Sequence, residues 1–291
     1  MNGIVINMDP IMFRLGGFVI SWHGFFSAVG LFIGLWLAGR IAARWGVSDE
    51  ALSATAFWGV IGGIIGARLL HVLDYWSFYA ANPSRIFLLT EGGIAIYGAI
   101  LGGSAAGLAY AAWRKLPVGR LADAAAFGLI LGQAIGRIGD LVNGEHWATE
   151  TSLPWGIIYT HPNTLGQKDL AVHPVASIYE GLWDIAILGL LFGYRNRLAA
   201  PGMLYWMYLG LYSVGRFLLS FLRLDLIWIW NLREAQIVAI VCMALAVVML
   251  YRLGRPTLTR AQRRARGRTR PSPVSGGPGD SGIGPGLGIS S

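Results

Sequence analysis

Apolar residues along this chain come in long runs separated by short charged connections. The pattern predicts seven membrane-crossing helices, each near the roughly 20 residues needed to cross the hydrocarbon layer. They are expected over Phe18–Ala38, Leu52–Leu73, Gly93–Trp113, Leu121–Val142, Pro174–Tyr194, Gly202–Leu222 and Glu234–Leu250. Between the second and third, Tyr75–Glu91 mixes aromatic and polar positions and reads as an interfacial segment. A polar stretch from Asn143 to Val172, with Pro154, Pro162, Asn163 and Gly166, breaks the pattern after the fourth. Beyond Pro256 the chain is rich in Arg, Gly, Ser and Pro, a composition that cannot bury a core. The expected fold class is all-α: a polytopic seven-helix membrane domain over 1–255, an external loop over 143–172, and a basic disordered tail over 256–291.

Glycine spacing says where helices touch. Gly59 and Gly63, Gly62 and Gly66, and the series Gly128, Gly132, Gly136 repeat every fourth residue, which lets two backbones approach closely.

Only 13% of the 291 residues are charged, against about 25% in a soluble domain, and 55% are hydrophobic. The net charge of +8 does not form a nucleic-acid face. Arg40 and Arg44, then Arg114, Lys115 and Arg120, then Arg195 and Arg197, then the tail, fall on alternate connections. Because cytoplasmic connections carry the excess of Lys and Arg, the N-terminus is expected outside and the C-terminus in the cytoplasm. The start lacks the basic region and cleavage site of a signal peptide, so the first span is expected to insert and stay. The one cysteine, Cys242, sits in an apolar run and reads as core filling; no Cys/His cluster offers a metal site.

Four arginines stand within or at the ends of apolar runs: Arg68, Arg137, Arg216 and Arg223. A charge at mid-membrane costs about 2.5–3.5 kcal/mol on the mildest scales and therefore usually faces a functional interior. Arg137 and Asp140 are three apart and share a helix face, with Asn143, Glu145 and His146 close behind. Glu180 and Asp184 are four apart, two acids on one face that need cations opposite; Arg68, Arg137 and Arg216 are available. Arg223 is expected to continue the Arg216 stripe. Guanidinium forks match phosphate oxygens, so the cluster reads as an anion site for a lipid headgroup near the outer boundary. His23, at the outer start of the first span, and Tyr97, early in the third, are candidate proton carriers.

These motifs resemble the bacterial prolipoprotein diacylglyceryl transferase family over about residues 10–250. Its Gly-Arg-x-Gly-Asn-x-x-Asn-Gly-Glu signature matches Gly136 to Glu145, with Asp140 in place of the first asparagine. A His-Pro-x-x-x-x-Tyr-Glu element matches His173, Pro174, Tyr179 and Glu180; Gly66 to Arg68, Arg216 and Arg223 match further elements. Three more positions depart from the pattern: His23 replaces a tyrosine, Tyr97 a histidine and Ser220 a glutamate.

The resemblance implies transfer of a diacylglyceryl group from phosphatidylglycerol to the lipobox cysteine of prolipoprotein signal peptides at the bacterial inner membrane, with glycerol phosphate leaving and no cofactor or metal. It implies that Arg137 and Arg216 grip the phosphate, with Arg68 or Arg223 in support. His23 or Tyr97, with Glu145 as a rival, would promote the thiol. Asp140, Asn143, Glu180 and His173 would shape the substrate cleft. The alternative is a lipid-binding or lipid-transporting membrane protein without transferase activity, since membrane arginines and broken helices also suit translocation.

Overall fold

The computed structural model describes residues 3–16, 18–88, 96–144, 147–198, 200–225 and 227–255. One compact unit covers Met1–Gly254. The expected tail, 256–291, lies outside the described residues.

The unit is mostly helical. Strands β1 (Ile4–Ile6), β2 (Ile11–Leu15) and β3 (Phe18–Ser21) precede α1 (Trp22–Arg44), α2 (Asp49–Asp74) and the short α3 (Trp76–Ala81), which runs into a 3-10 turn over Pro83–Phe87. Then come α4 (Ile96–Trp113), α5 (Val118–Asn143), β4 (Ile157–Tyr159), β5 (Ala171–Val172), α6 (Glu180–Tyr194), α7 (Met203–Leu219), β6 (Ile227–Ile229), β7 (Leu232–Arg233) and α8 (Glu234–Gly254). Among the described residues, five helical segments are long and apolar enough to cross a membrane: Trp22–Arg44, Asp49–Leu73, Val118–Asn143, Val175–Tyr194 and Glu234–Gly254. The remaining two expected spans correspond to α4, of 18 residues, and α7, of 17, which are not in that set. The first residues expected of the third span, 93–95, lie outside the described residues.

The all-α expectation needs a correction between the helices. β1 runs parallel to β4, which pairs antiparallel with β5; β2–β3 and β6–β7 are small hairpins. The 143–172 stretch is thus tied to the N-terminal segment as a sheet. Strands of two to five residues leave too short an alternation to be read from sequence.

Helix ends follow local chemistry. The Ser21 hydroxyl accepts from Gly24 N at 3.0 Å to cap α1, and Ser48 caps α2 from Ala51 N at 3.2 Å. The α7 start has no local cap. Asp123, buried on α5, supplies one: its carboxylate accepts from Gly202 N at 2.8 Å and Tyr205 N at 3.0 Å. Replacing Asp123 by alanine strands two backbone donors and is expected to cost about 2 kcal/mol. Thermal unfolding in detergent measures it; an unchanged midpoint would reject this role.

Two glycine seams hold the bundle. α1 lies against α5 so closely that a Cβ at Gly30 would stand 2.6 Å from the Gly132 carbonyl oxygen, and one at Gly34 would stand 2.5 Å from that of Gly128. α2 and α4 share a second seam, where a Cβ at Gly62 would meet the Gly102 oxygen at 2.6 Å. The spacing series was legible at Gly128 and Gly132; Gly136, the third member, has open space beside it.

Candidate functional site

The α1–α5 seam decides where the polar residues meet. At its end a Cβ on Gly139 would lie 2.7 Å from the His23 Cα, so glycine lets the start of α1 sit directly on the end of α5. His23, in the first turn of α1, therefore arrives at Asp140: its Nδ1 is 2.7 Å from Asp140 Oδ1. α5 ends at Asn143, and Gly144 closes it with a positive φ of 62° and an N–H donated to the Asp140 carbonyl at 3.1 Å. Tyr159 of β4 covers this end, its hydroxyl donating to the Leu141 carbonyl at 2.9 Å. Burial pushes that phenol up from its usual pKa, so it stays a neutral donor.

α6 approaches from the other side. A π-helical turn over Val175–Tyr179 precedes it, with Ile178 and Tyr179 N–H both donated to the Pro174 carbonyl. Such turns shift the face that the next residues present and recur at functional sites. Gly181 keeps the approach open, since a Cβ there would be 3.3 Å from Arg137 Cβ. Glu180 and Asp184, the two acids placed on one face by their spacing, are both buried and both turn toward Arg137.

Three of the four arginines converge. Arg137 donates from Nη1 to Asp140 Oδ2 at 2.9 Å, pairs through Nη2 with Glu180 Oε2, and stands with Nε 3.8 Å from Asp184. Arg216 of α7 donates from Nη1 to Glu180 Oε1 at 2.7 Å, and Arg223 Nη1 stands 3.8 Å from the same oxygen. Glu180 is thus shared by three guanidiniums. Arg223 does not extend the helical stripe expected of it: α7 ends at Leu219, Ser220–Leu222 forms a 3-10 turn, and Arg223 reaches in from extended backbone. It also grips Asp225 with two nitrogens, at 2.7 and 3.1 Å.

Arg68 is engaged elsewhere. Its Nε donates to the Ile86 carbonyl at 2.8 Å and its Nη2 to those of Arg85 and Leu88 at 2.5 and 3.1 Å, with the Tyr79 ring 5.2 Å away. A 3-10 turn ends in carbonyls that want donors, and this guanidinium supplies them. His173 borders the site, its Nδ1 3.2 Å from the Tyr179 hydroxyl, which also accepts from Trp155 Nε1 at 2.9 Å. Asn143 is buried at the end of α5. Tyr97 stands in the first turn of α4; its side chain, and all of Glu145 and His146, lie outside the described residues. Sequence reasoning missed Asp225, whose only signal was its place two residues after Arg223.

Electrostatically the cluster is compensated: Asp140, Glu180, Asp184 and Asp225 face Arg137, Arg216 and Arg223. Donors nevertheless remain. Among the described residues Arg216 makes one hydrogen bond, through Nη1, which leaves Nε and Nη2 for a ligand. An apolar groove of about 370 Å³ runs between α6 and α7, lined by Tyr179, Leu182, Trp183, Gly215, Leu218 and Leu219, with Gly215 preceding Arg216 in the chain. A second cavity of about 20 Å³, bordered by Asp140, Tyr159, His173, Ser177 and Arg223, has room for roughly one water. Guanidinium donors carried by a helix that also lines an apolar groove suit a molecule that is anionic at one end and hydrocarbon at the other.

Residues 10–252 match the family model described as prolipoprotein diacylglyceryl transferase. A phosphatidylglycerol–prolipoprotein diacylglyceryl transferase of Nostoc sp. is 38% identical over 250 residues, covering 83% of this chain and 88% of the relative. The protein of that name from Gloeobacter violaceus is 38% identical over 250 residues (84% and 93%), and the one from Clostridioides difficile 36% over 234 residues (80% and 91%). With a family match across well over half of its length and relatives aligned over most of theirs, the chain belongs to the prolipoprotein diacylglyceryl transferase family.

Proposed function

We propose that this chain transfers a diacylglyceryl group from phosphatidylglycerol to the lipobox cysteine thiol of a prolipoprotein, releasing glycerol phosphate. The observation that carries the reading is that Arg216, with Nε and Nη2 beyond its one hydrogen bond among the described residues, follows directly on Gly215 of the apolar α6–α7 groove. The phosphate sits on Arg216 and Arg137, a lipid chain lies in the groove, and the glycerol carbon is held between. Guanidinium charge stabilises the phosphate as it leaves, an interaction that grows in the transition state. Arg223 supports the clamp, and Arg68 acts at a distance by holding the 83–87 turn on α2. Asp140, Asn143, Glu180 and His173 shape the cleft.

The membrane placement is part of the same reading. Residues 1–255 form a seven-span domain in the inner membrane, with α4 and α7 completing the spans. The N-terminus and the 143–172 segment lie outside, and the basic tail lies in the cytoplasm. The polar cluster then faces the outer leaflet, where a secreted precursor presents its lipobox.

A second reading, lipid binding or movement without transfer, is favoured by the carboxylates already paired with the arginines, which an incoming phosphate must displace or share. The test is to incubate the purified protein with phosphatidylglycerol labelled in its diacylglycerol part and a lipobox peptide. Label on the peptide cysteine is expected. Lipid binding or flux with an unlabelled peptide would sink the transferase reading in favour of the second.

A further inference from the structure

Resting on the transferase reading for its lipid, we propose that the small polar cavity between the end of α5 and the turn before α6 receives a hydroxyl of the phosphatidylglycerol headgroup, and that Ser177 binds it and so selects a glycerol headgroup. The cavity of about 20 Å³ is bordered by Asp140, Gly144, Tyr159, His173, Ser177 and Arg223. That volume takes one water, or one hydroxyl group in its place. Gly144 keeps the space, since a Cβ there would stand 2.8 Å from the Tyr159 ring.

Two of the bordering residues belong to the arginine cluster. Arg223 Nη1 is 3.8 Å from the Glu180 oxygen to which Arg216 donates, and Asp140 accepts from Arg137 at 2.9 Å. A phosphate on Arg137 and Arg216 is therefore a neighbour of the cavity. The hydroxyls of a glycerol headgroup lie a short carbon chain beyond the phosphate, and they are the lipid groups whose size and polarity suit this space. The acyl chains suit the apolar groove instead.

Ser177 is the side chain that asks for a ligand. It is only 7% exposed, yet its hydroxyl forms no hydrogen bond among the described residues. Two other buried serines satisfy themselves locally: Ser213 Oγ donates to the Leu209 carbonyl at 2.7 Å, and Ser220 Oγ to that of Arg216 at 2.6 Å. The carbonyl four residues before Ser177 belongs to His173 and accepts from Val175 N at 2.8 Å, at the entry to the π-helical turn that carries the serine. Tyr159 gives its hydroxyl to the Leu141 carbonyl at 2.9 Å. Burying a hydroxyl with donor and acceptor unfilled is costly, and a ligand hydroxyl can fill both. A site built to hydrogen-bond a substrate hydroxyl rejects the analogue without it, because the protein group is then left unpaired.

The experiment compares phosphatidylglycerol with phosphatidylpropanol, whose propyl headgroup keeps the phosphate charge and lacks both hydroxyls. The full chain in detergent is given each lipid, labelled in its diacylglycerol part, with a lipobox peptide. Binding of each lipid is measured alongside, as the rise in unfolding midpoint. The unsubstituted protein is expected to favour phosphatidylglycerol in kcat/KM by about tenfold or more. Ser177→Ala is expected to lose on phosphatidylglycerol alone, so that the preference falls to about twofold or less while the propyl lipid is used as before. A merely structural serine would lower both lipids together and leave their ratio in place. An unchanged ratio in Ser177→Ala overturns the inference, as does a cavity that holds water alone and gives that same result. Equal use of the two lipids by the unsubstituted protein overturns it without any variant. No transfer of either lipid overturns the transferase reading, and the same comparison made on the two binding shifts then decides for or against the hydroxyl site.

Discussion

Alanine at Arg137 is expected to reduce transfer to a lipobox peptide by at least about 10³-fold and to destabilise the fold by about 3–5 kcal/mol. Both effects come from one geometry. Arg137 is the cation common to Asp140, Glu180 and Asp184, and it stands at the centre of the proposed phosphate clamp. Its removal leaves buried carboxylates without their principal partner and deletes donors that act on the leaving group. Arg137→Lys separates the two contributions. A single ammonium restores charge, and with it part of the stability, but it cannot serve three acids arranged around three nitrogens. Its kcat should remain low. Transfer assays and detergent unfolding on both variants check this; undiminished transfer by Arg137→Ala would remove Arg137 from the mechanism.

Glu180→Ala is expected to be nearly as damaging to stability, by about 3 kcal/mol or more, for the opposite reason. It strips Arg137 and Arg216 of a shared acceptor, takes away the nearby anion facing Arg223, and leaves three guanidiniums close together. An anion supplied from outside should then restore part of what was lost. Phosphatidylglycerol is expected to raise the unfolding midpoint of the variant more than that of the unsubstituted protein, whereas a zwitterionic lipid should not. Equal shifts in both proteins would mean that the headgroup does not occupy the place vacated by Glu180.

The parts of this site that could be read from sequence are those set by short-range helical geometry. Arg137 with Asp140, and Glu180 with Asp184, lie at spacings that dictate a shared face. The Gly128–Gly132 and Gly62–Gly66 repeats announced the seams. What escaped depends on contacts between distant segments. Arg68 resembles the other membrane arginines in context, yet its guanidinium goes to carbonyls in and just after the 3-10 turn over Pro83–Phe87. Asp123 caps a helix that begins far along the chain, and nothing near either residue signals it. The His23–Asp140 contact requires knowing that α1 docks on α5. The π-helical turn before Glu180 altered the entry to α6 with only His173-Pro174 as a hint.

The α1–α5 seam also imposes an order on biogenesis. α2, α3 and α4 are all synthesised after α1 and before α5. The backbone groove formed by Gly30 and Gly34 therefore has no partner until more than half of the bundle has left the ribosome. α2 and α4 can zip together earlier, as a near-local hairpin. A chain cut short ahead of Val118 strands its first helix in lipid with small residues uncovered, the kind of incomplete intermediate that membrane quality control disposes of. The polar cluster, which joins Asp140 and Arg137 of α5 to Glu180, Arg216 and Arg223, is complete only once α7 and the turn after it have been made.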